Sequence, residues 1–441
     1  MIVIPIGLLY MFANPLGKIP DEDQHARKSM AISNGIFFAH FNEDHKPYDK
    51  FNSKIHELVT RHTSSYEEAW NRVSAAETDE EIYLVYSMAT YAPICHMPQA
   101  IGMFISRILG GGVSVQCYVA RFTNMMVAIF IMYNAIKYIP FKKTIVFFLG
   151  LLPITISEFA SMSSDALAIS SCIFYISYIL YLKYDKNKEK IEKKDVAILT
   201  ISSIVVSLCK IVYIPLCVLL FTLPKEKFAS KKQKNKIVIT IFVVAVLLNI
   251  VWLAYASGML VEANPGVNSG EQVKYIITHP ISYALILFRT IHIYAQTFIV
   301  SLCGEGLGDY NVQAPPMFVF STVLLFAFLF FTNDEPERDR FKISEKIIYT
   351  ILFIIIVVLV YTSLYVAWTP LKTPIIMGVQ TRYFLPVILL LAITFDNRKL
   401  TFNGKSINEY VSTFMMYLNL SALSCITYTY LYKFIIEYYL K

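Results

Sequence analysis

The sequence predicts an all-α fold: a polytopic transmembrane helical bundle of about eleven spans with a large first extracytoplasmic loop. Three observations lead there. Hydrophobic residues make up 56% of the 441-residue chain and charged residues only 16%, where soluble domains carry about 25%. Apolar runs recur at close to the roughly 20 residues needed to cross a bilayer. The net charge of +7 is gathered in short lysine-rich connectors, a pattern that sets membrane topology and does not suit nucleic-acid binding.

In chain order, "MIVIPIGLLYMFA" has no basic leading region and no small-residue cleavage site, so it does not read as a removable signal peptide. At about 14 residues it is also short for a span. Residues 15–117 form the predicted first extracytoplasmic loop. Its charged, aromatic middle, 42–82, suggests short helices on the membrane surface. The end of the loop, "YAPICHMPQAIGMFISRILGGG", is apolar enough to dip into the bilayer, but Pro93 and Pro98 interrupt it and Arg107 makes a full crossing costly. Clear apolar runs follow at 118–138, 144–160, 165–183, 196–223, 237–256, 315–332, 346–368, 375–395 and 411–433.

Two connectors, "KYDKNKEKIEKKD" (183–195) and "PKEKFASKKQKNK" (224–236), carry six lysines each. Such loops stay cytoplasmic, so both ends of 196–223 lie inside and the segment must double back, turning near Lys210. Putting the connectors 137–143, 333–346 and 396–405 inside as well leaves 257–314 as a second extracytoplasmic loop. The apolar stretch 281–303 within it contains Arg289, His292 and Gln296 and reads as a re-entrant or interfacial helix. The whole chain, 1–441, is a single membrane domain.

With this topology the conspicuous polar residues fall on one face. Asp21 and Glu22 follow the first apolar segment, and Glu158 and Asp165 flank the turn "EFASMSSDAL". Lys210 sits at the hairpin turn. Arg289, His292, Glu305 and Asp309 lie in the second external loop, and Lys372 and Arg382 in "TPLKTPIIMGVQTRYFLP". Singly, each fits a solvated loop charge or a snorkelling cation. As a set, ionisable groups close to hydrocarbon are expensive and point to function.

Carboxylates beside cations suit transfer from a lipid phosphate. A carboxylate can act as general base on an acceptor hydroxyl. Lysine and arginine can hold the departing phosphate. No cofactor is required by the sequence, although the Asp21 and Glu22 carboxylates could hold a divalent cation, Mg²⁺ or Mn²⁺. The seven cysteines show no CxxC and no metal-ligand spacing. "RILGGGVS" lacks the Lys and Ser/Thr of a nucleotide-binding loop, and no cytoplasmic connector could house a nucleotide-sugar domain.

The acidic turn Pro20, Asp21, Glu22 with His25, the Pro-rich re-entry "YAPICHMPQAIG", "SMSSDAL" around Asp165, "KIVYIP" with Lys210 followed by a proline, and the Gln380, Arg382, Tyr383, Pro386 pattern occur together in this order. Their combination resembles the bacterial polytopic membrane proteins of domain-of-unknown-function family 2142 (DUF2142), which in turn look like members of the GT-C glycosyltransferase superfamily. The resemblance implies an integral protein of the bacterial cytoplasmic membrane whose active site faces outside. It implies a polyprenyl-phosphate-linked sugar donor, membrane lipids as surroundings, and an envelope polysaccharide or similar acceptor. Asp21 or Glu22 would then be the catalytic base or metal ligand, with Asp165 as a second acid. The substrate-binding set would be His25, Lys210, Arg289, Gln380, Arg382 and Tyr383. The competing expectation is a transporter or flippase for a lipid-linked or anionic solute. A third is a non-catalytic partner in envelope-polymer assembly.

Overall fold

The computed structural model describes residues 2–43, 46–59, 65–257, 264–308, 312–333, 341–395 and 400–439, the side chains of 404–406 and 433–439 excepted. Asp309 and much of two predicted inner connectors (334–340 and 396–399) lie outside the described residues. The chain is overwhelmingly helical, as its composition predicts.

A short apolar helix, α1 (Val3–Ala13), leads into α2 (Glu22–Ser33). Next comes a small mixed module: strands β1 (His40–Phe41) and β2 (Pro47–Asn52), helices α3 (Ser53–Val59) and α4 (Tyr66–Ser74), and strand β3 (Glu81–Val85). The strands form an antiparallel sheet in the order β1-β2-β3, with Tyr48 opposite Val85 and Asn52 opposite Glu81. Two short helices, α3 and α4, lie in this stretch, but the sheet was not foreseen. Its strands are at most six residues long, too short for their alternation to stand out among charged neighbours. Side chains alternate in burial along β2, and its Tyr48 ring meets Tyr83 of β3 with centroids 5.3 Å apart.

The chain re-enters through α5 (Met97–Ile108), which packs along α6 (Val113–Tyr138). The α5–α6 contact is close because Gly102 brings the two backbones together: a Cβ there would lie 2.8 Å from the Val119 carbonyl oxygen. Helices α7 (Lys143–Leu151) and α8 (Pro153–Phe159) lead to α9 (Asp165–Tyr184), which is buried along almost its entire length at the centre of the bundle. At the far end Lys142 donates to the Leu329, Phe330 and Thr332 carbonyls, satisfying acceptors that a helix end leaves unpaired.

The segment 196–223 does double back. Helix α10 (Lys193–Cys209) stops at Lys210, whose backbone is extended, and the return arm is a 3₁₀ helix, Ile211–Thr222. Pro215 lies inside that arm and cannot donate to an α-helical ladder. The arms run antiparallel: Ile191 N donates to the Lys227 carbonyl at 2.9 Å, which joins the two lysine-rich connectors at the end opposite Lys210.

The remaining helices are α11 (Lys231–Ala256), α12 (Ser269–Thr278), α13 (Pro280–Leu302), α14 (Pro316–Phe331), α15 (Ile343–Ala367), α16 (Ile388–Thr394) and α17 (Gly404–Tyr439). Among the described residues α6, α9, α11, α13 and α15 are long and apolar enough to cross a membrane. That set includes α13, which the sequence reading placed inside an external loop. Arg289 and His292 do not interrupt it; both are exposed on its surface.

Candidate functional site

Four segments of the chain gather around the Arg382 guanidinium, three touching it directly and the fourth through Asp165. The first is the turn after α1. Asp21 follows Pro20 and adopts a left-handed backbone, φ 65°, a region that aspartate enters more readily than most residues. Such strain persists where surrounding contacts enforce it. Here the neighbours are arginine donors: Arg382 Nη2 donates to Asp21 Oδ2 at 2.8 Å, and Nη1 donates to the Pro20 carbonyl at 3.1 Å.

The second and third segments are the end of α8 and the start of α9. Arg382 Nη1 also donates to Glu158 Oε1 at 3.0 Å, and Nε lies 2.8 Å from Asp165 Oδ2. The turn between these acids is built from serines. Ser161 Oγ donates to the Glu158 carbonyl and accepts from Ser163 N; Ser163 Oγ in turn accepts from Asp165 N at 3.1 Å. Side-chain amides from two neighbouring helices hold it from outside. Gln99 of α5 donates to the Met162 and Ser163 carbonyls, and Asn124 of α6 donates to those of Ser161 and Ser163. Asp165 sits in the first turn of α9, where the helix dipole favours negative charge.

The fourth segment is the hairpin crest. Lys210 forms an ion pair with the other oxygen of Asp165, Oδ1, and its ammonium lies 4.4 Å from the centre of the Tyr383 ring, a cation–π contact. Tyr213, just beyond Lys210, donates to the Tyr383 carbonyl at 2.8 Å. Three carboxylates, one guanidinium and one ammonium therefore share the site. Glu158, Asp165 and Arg382 have nearly inaccessible side chains, whereas Asp21 is 21% exposed and Lys210 14%. Those two are the groups that a ligand can reach.

Beside this cluster lies a histidine pair. His25, one turn along α2 from Asp21, is 2.8 Å through Nδ1 from His96 Nε2, and both rings stand edge-on to Tyr91. Burial pushes the His25 imidazole down to about 4, an effect that the Asp165 and Asp21 carboxylates only partly offset. His96 is held well below its usual value, first by burial and then by His25 and Lys28. Burial thus disfavours the charged form of both rings, and at this separation one ring must donate to the other.

Glu22 and Asp21, adjacent in sequence, are held by different arginines. Glu22 takes the Nε and Nη2 of Arg121 at 2.8 and 2.6 Å, and also accepts from Gly17 N and Met162 N. Arg121 further donates to the Met11, Asn14 and Pro15 carbonyls. Both side chains are fully buried. The arrangement occupies Glu22 completely and fixes the turn from which Asp21 projects.

The structure thus brings Asp21, Asp165, Lys210, Arg382 and Tyr383 together, with His25 alongside. Gln380 caps the one-turn 3₁₀ helix Thr381–Tyr383 that carries Arg382. Arg289 stands exposed on α13 and takes part in none of the cluster's described contacts. Glu158 enters as a full member, while sequence reading had placed it only as a flank of the serine turn. Arg121 was missed; a lone arginine within an apolar run was the available signal. Among the described residues no group of three His, Cys, Asp or Glu side chains is arranged to hold a metal; Asp21, Glu158 and Asp165 are paired with Arg382 and Lys210, and Glu22 with Arg121.

The fold and this buried charge cluster define a polytopic helical membrane protein. More particularly, the chain belongs to the DUF2142 family, described as predicted membrane proteins, which matches it over residues 5–391. No curated protein and no solved structure matches the chain.

Proposed function

We propose that the protein is a membrane glycosyltransferase of the bacterial cytoplasmic membrane. It would move a sugar from a polyprenyl-phosphate donor to an acceptor on the outer side, in the manner of GT-C enzymes. The observation that carries this reading is the convergence of Asp21, Glu158 and Asp165 on Arg382, with Lys210 at the mouth of the cluster.

In the proposed reaction Asp21, the most accessible of the three acids, removes the proton from an acceptor hydroxyl. The acceptor oxygen bonds to the anomeric carbon of the donor, and the bond from that carbon to the phosphate oxygen breaks. The electron pair leaves with polyprenyl phosphate, whose added charge Lys210 stabilises. Arg382 is engaged on every side by carboxylates and the Pro20 carbonyl, so its role is to position Asp21 and Asp165. Asp165 holds Lys210 in place. Each of these steps uses groups already in position, which lowers the reorganisation needed at the moment of reaction.

The test is transfer in reconstituted vesicles from a radiolabelled short-chain prenyl-phosphate sugar. A covalent sugar–acceptor product and free prenyl phosphate are expected with the native protein, and their loss with Asp21→Asn. Movement of the lipid across the vesicle without any covalent product would overturn the proposal. That outcome would favour the second reading, a transporter or flippase. One observation supports it: the hairpin is interrupted at Lys210 with a cation at the break, as in transporters built on broken helices.

A further inference from the structure

Two cavities flank the turn that carries Arg382. A small one of about 250 Å³ lies beside Lys210, with Tyr383 in its wall. The other measures about 460 Å³, within the roughly 300–1,000 Å³ of pockets that take small-molecule ligands. It lies between α13, α14 and α15, and Thr381 and Phe384 line it from the turn. Tyr383 and Phe384 are adjacent in the chain, so the two cavities come within one residue of each other there. Helix α15 also lines both, through Val360 on one side and Tyr361 on the other.

The lining of the larger cavity says what it can hold. No charged side chain faces it, and aromatic rings dominate. The Phe384 ring centre lies 5.9 Å from that of Phe298 and 5.5 Å from that of Tyr361; Phe326 and Phe330, 5.3 Å apart, form a further wall. An apolar cavity stays dry and accepts an apolar ligand. This one is within reach of such a ligand, because Ile291 and Ile299, which line it from α13, are 44% and 39% exposed. Both α13 and α15 are long and apolar enough to cross a membrane, so what meets the opening is hydrocarbon and not water.

We infer that this cavity binds the prenyl chain of the donor, which enters past α13 and leaves its phosphate at Lys210. The inference rests on the lipid-phosphate reading of the site and adds to it where the chain is held and which hydrocarbon is selected. Two observations favour a prenyl chain over the acyl chain of an ordinary bilayer lipid. The ring faces suit the flat double bonds and branching methyl groups of a prenyl chain, and a chain stiffened in this way loses less freedom on binding. The cavity also abuts the turn that carries Arg382 and Tyr383, where a chain ending in a plain phospholipid headgroup has no reason to be held.

The experiment uses the purified full-length protein in phosphatidylcholine nanodiscs. The probe is geranylgeranyl phosphate with a photoreactive diazirine at the far end of its chain, and labelled residues are read by peptide mass spectrometry. Saturable labelling is expected on α13, α15 or residues 384–391. Unlabelled geranylgeranyl phosphate should compete it away, and the same amount of phosphatidylglycerol should not. Ala295→Phe and Val357→Phe each fill part of the cavity and are expected to weaken labelling about tenfold. Melting temperature in detergent checks that both variants are folded.

Saturable labelling confined to other segments, equal competition by phosphatidylglycerol, or unchanged labelling in both folded variants would each overturn the chain subsite and leave the lipid-phosphate reading standing. A native protein that shows no saturable labelling anywhere would overturn both.

Discussion

Asp21 and Arg382 are separated by 361 positions in the chain, yet their side chains meet at 2.8 Å. The contact joins the turn after the first helix to the loop before α16, and Arg382 extends it to Glu158 and Asp165. A buried guanidinium held by three acids is poor evidence for stability in itself, because desolvation offsets much of the attraction. Removing one partner is a different matter.

Replacing Arg382 with glutamine leaves Glu158 buried without a counter-charge and Asp165 with Lys210 alone. The expected cost is about 3–5 kcal/mol, read as a large fall in melting temperature in detergent. Arg382→Lys should recover part of it, since a lysine keeps the charge but cannot reach three acids in one plane. A variant lacking the cation but melting like the native protein would show that the carboxylates are not ionised together.

Asp21→Asn and Glu22→Gln, one residue apart, should behave in opposite ways. The first changes a partly exposed carboxylate and is expected to reduce sugar transfer by 10²-fold or more, with a modest effect on melting. The second disturbs a fully buried pair with Arg121 and is expected to lower stability by about 3–5 kcal/mol. Paired transfer and melting measurements check both, and equal melting temperatures would refute the contrast.

Acid should destabilise the protein partly through His25. Its folded pKa, about 4, lies below the 6.5 of a free imidazole. As pH falls from about 6.5 towards 4, the unfolded chain takes up a proton that the folded one refuses, so stability declines across that window and levels off below it. The limiting contribution is about 3 kcal/mol. His25→Gln should flatten the curve of melting temperature against pH between 7 and 4. Identical curves for variant and native protein would contradict the assignment.

Lys28 offers a stabilising substitution. Its ammonium is buried and has no hydrogen bond among the described residues; it lies 6.0 Å from the ring centres of Tyr86 and Trp252. Burial brings its pKa down to about 8, which the nearby Cys95 and Asp49 only partly counter. Lys28→Met keeps the volume and removes the buried charge, so melting temperature should rise, by about 1 kcal/mol or more in stability. A fall would mean that the aromatic contacts outweigh desolvation.

Much of the fold could be read from lysine spacing and apolar runs. The doubling-back at Lys210 followed from two lysine-rich connectors that both had to face one side, and the structure closes them together through Ile191 and Lys227. The cluster was legible as a set, because Asp165, Lys210 and Arg382 stand out against apolar neighbours and Asp21 opens the acidic turn after the first apolar segment. What sequence left open was pairing. Nothing in "PDEDQH" tells which of Asp21 and Glu22 turns towards Arg382; Arg121, hidden in an apolar run, decides it by claiming Glu22. Arg289 looked equivalent to Arg382 because residue type does not report which side of a helix faces the interior. The small sheet was missed because pairing across 30 residues of chain leaves only faint local periodicity.

The Glu22–Arg121 pair has a bearing on how the protein can be taken apart. It pins the start of α2, the helix that leads into the small sheet module, to α6 of the bundle. Cutting away the N-terminal segment would strand a guanidinium in an apolar wall, so the module and the bundle should rise and fall as one cooperative unit, and neither is expected to survive as a separable fragment.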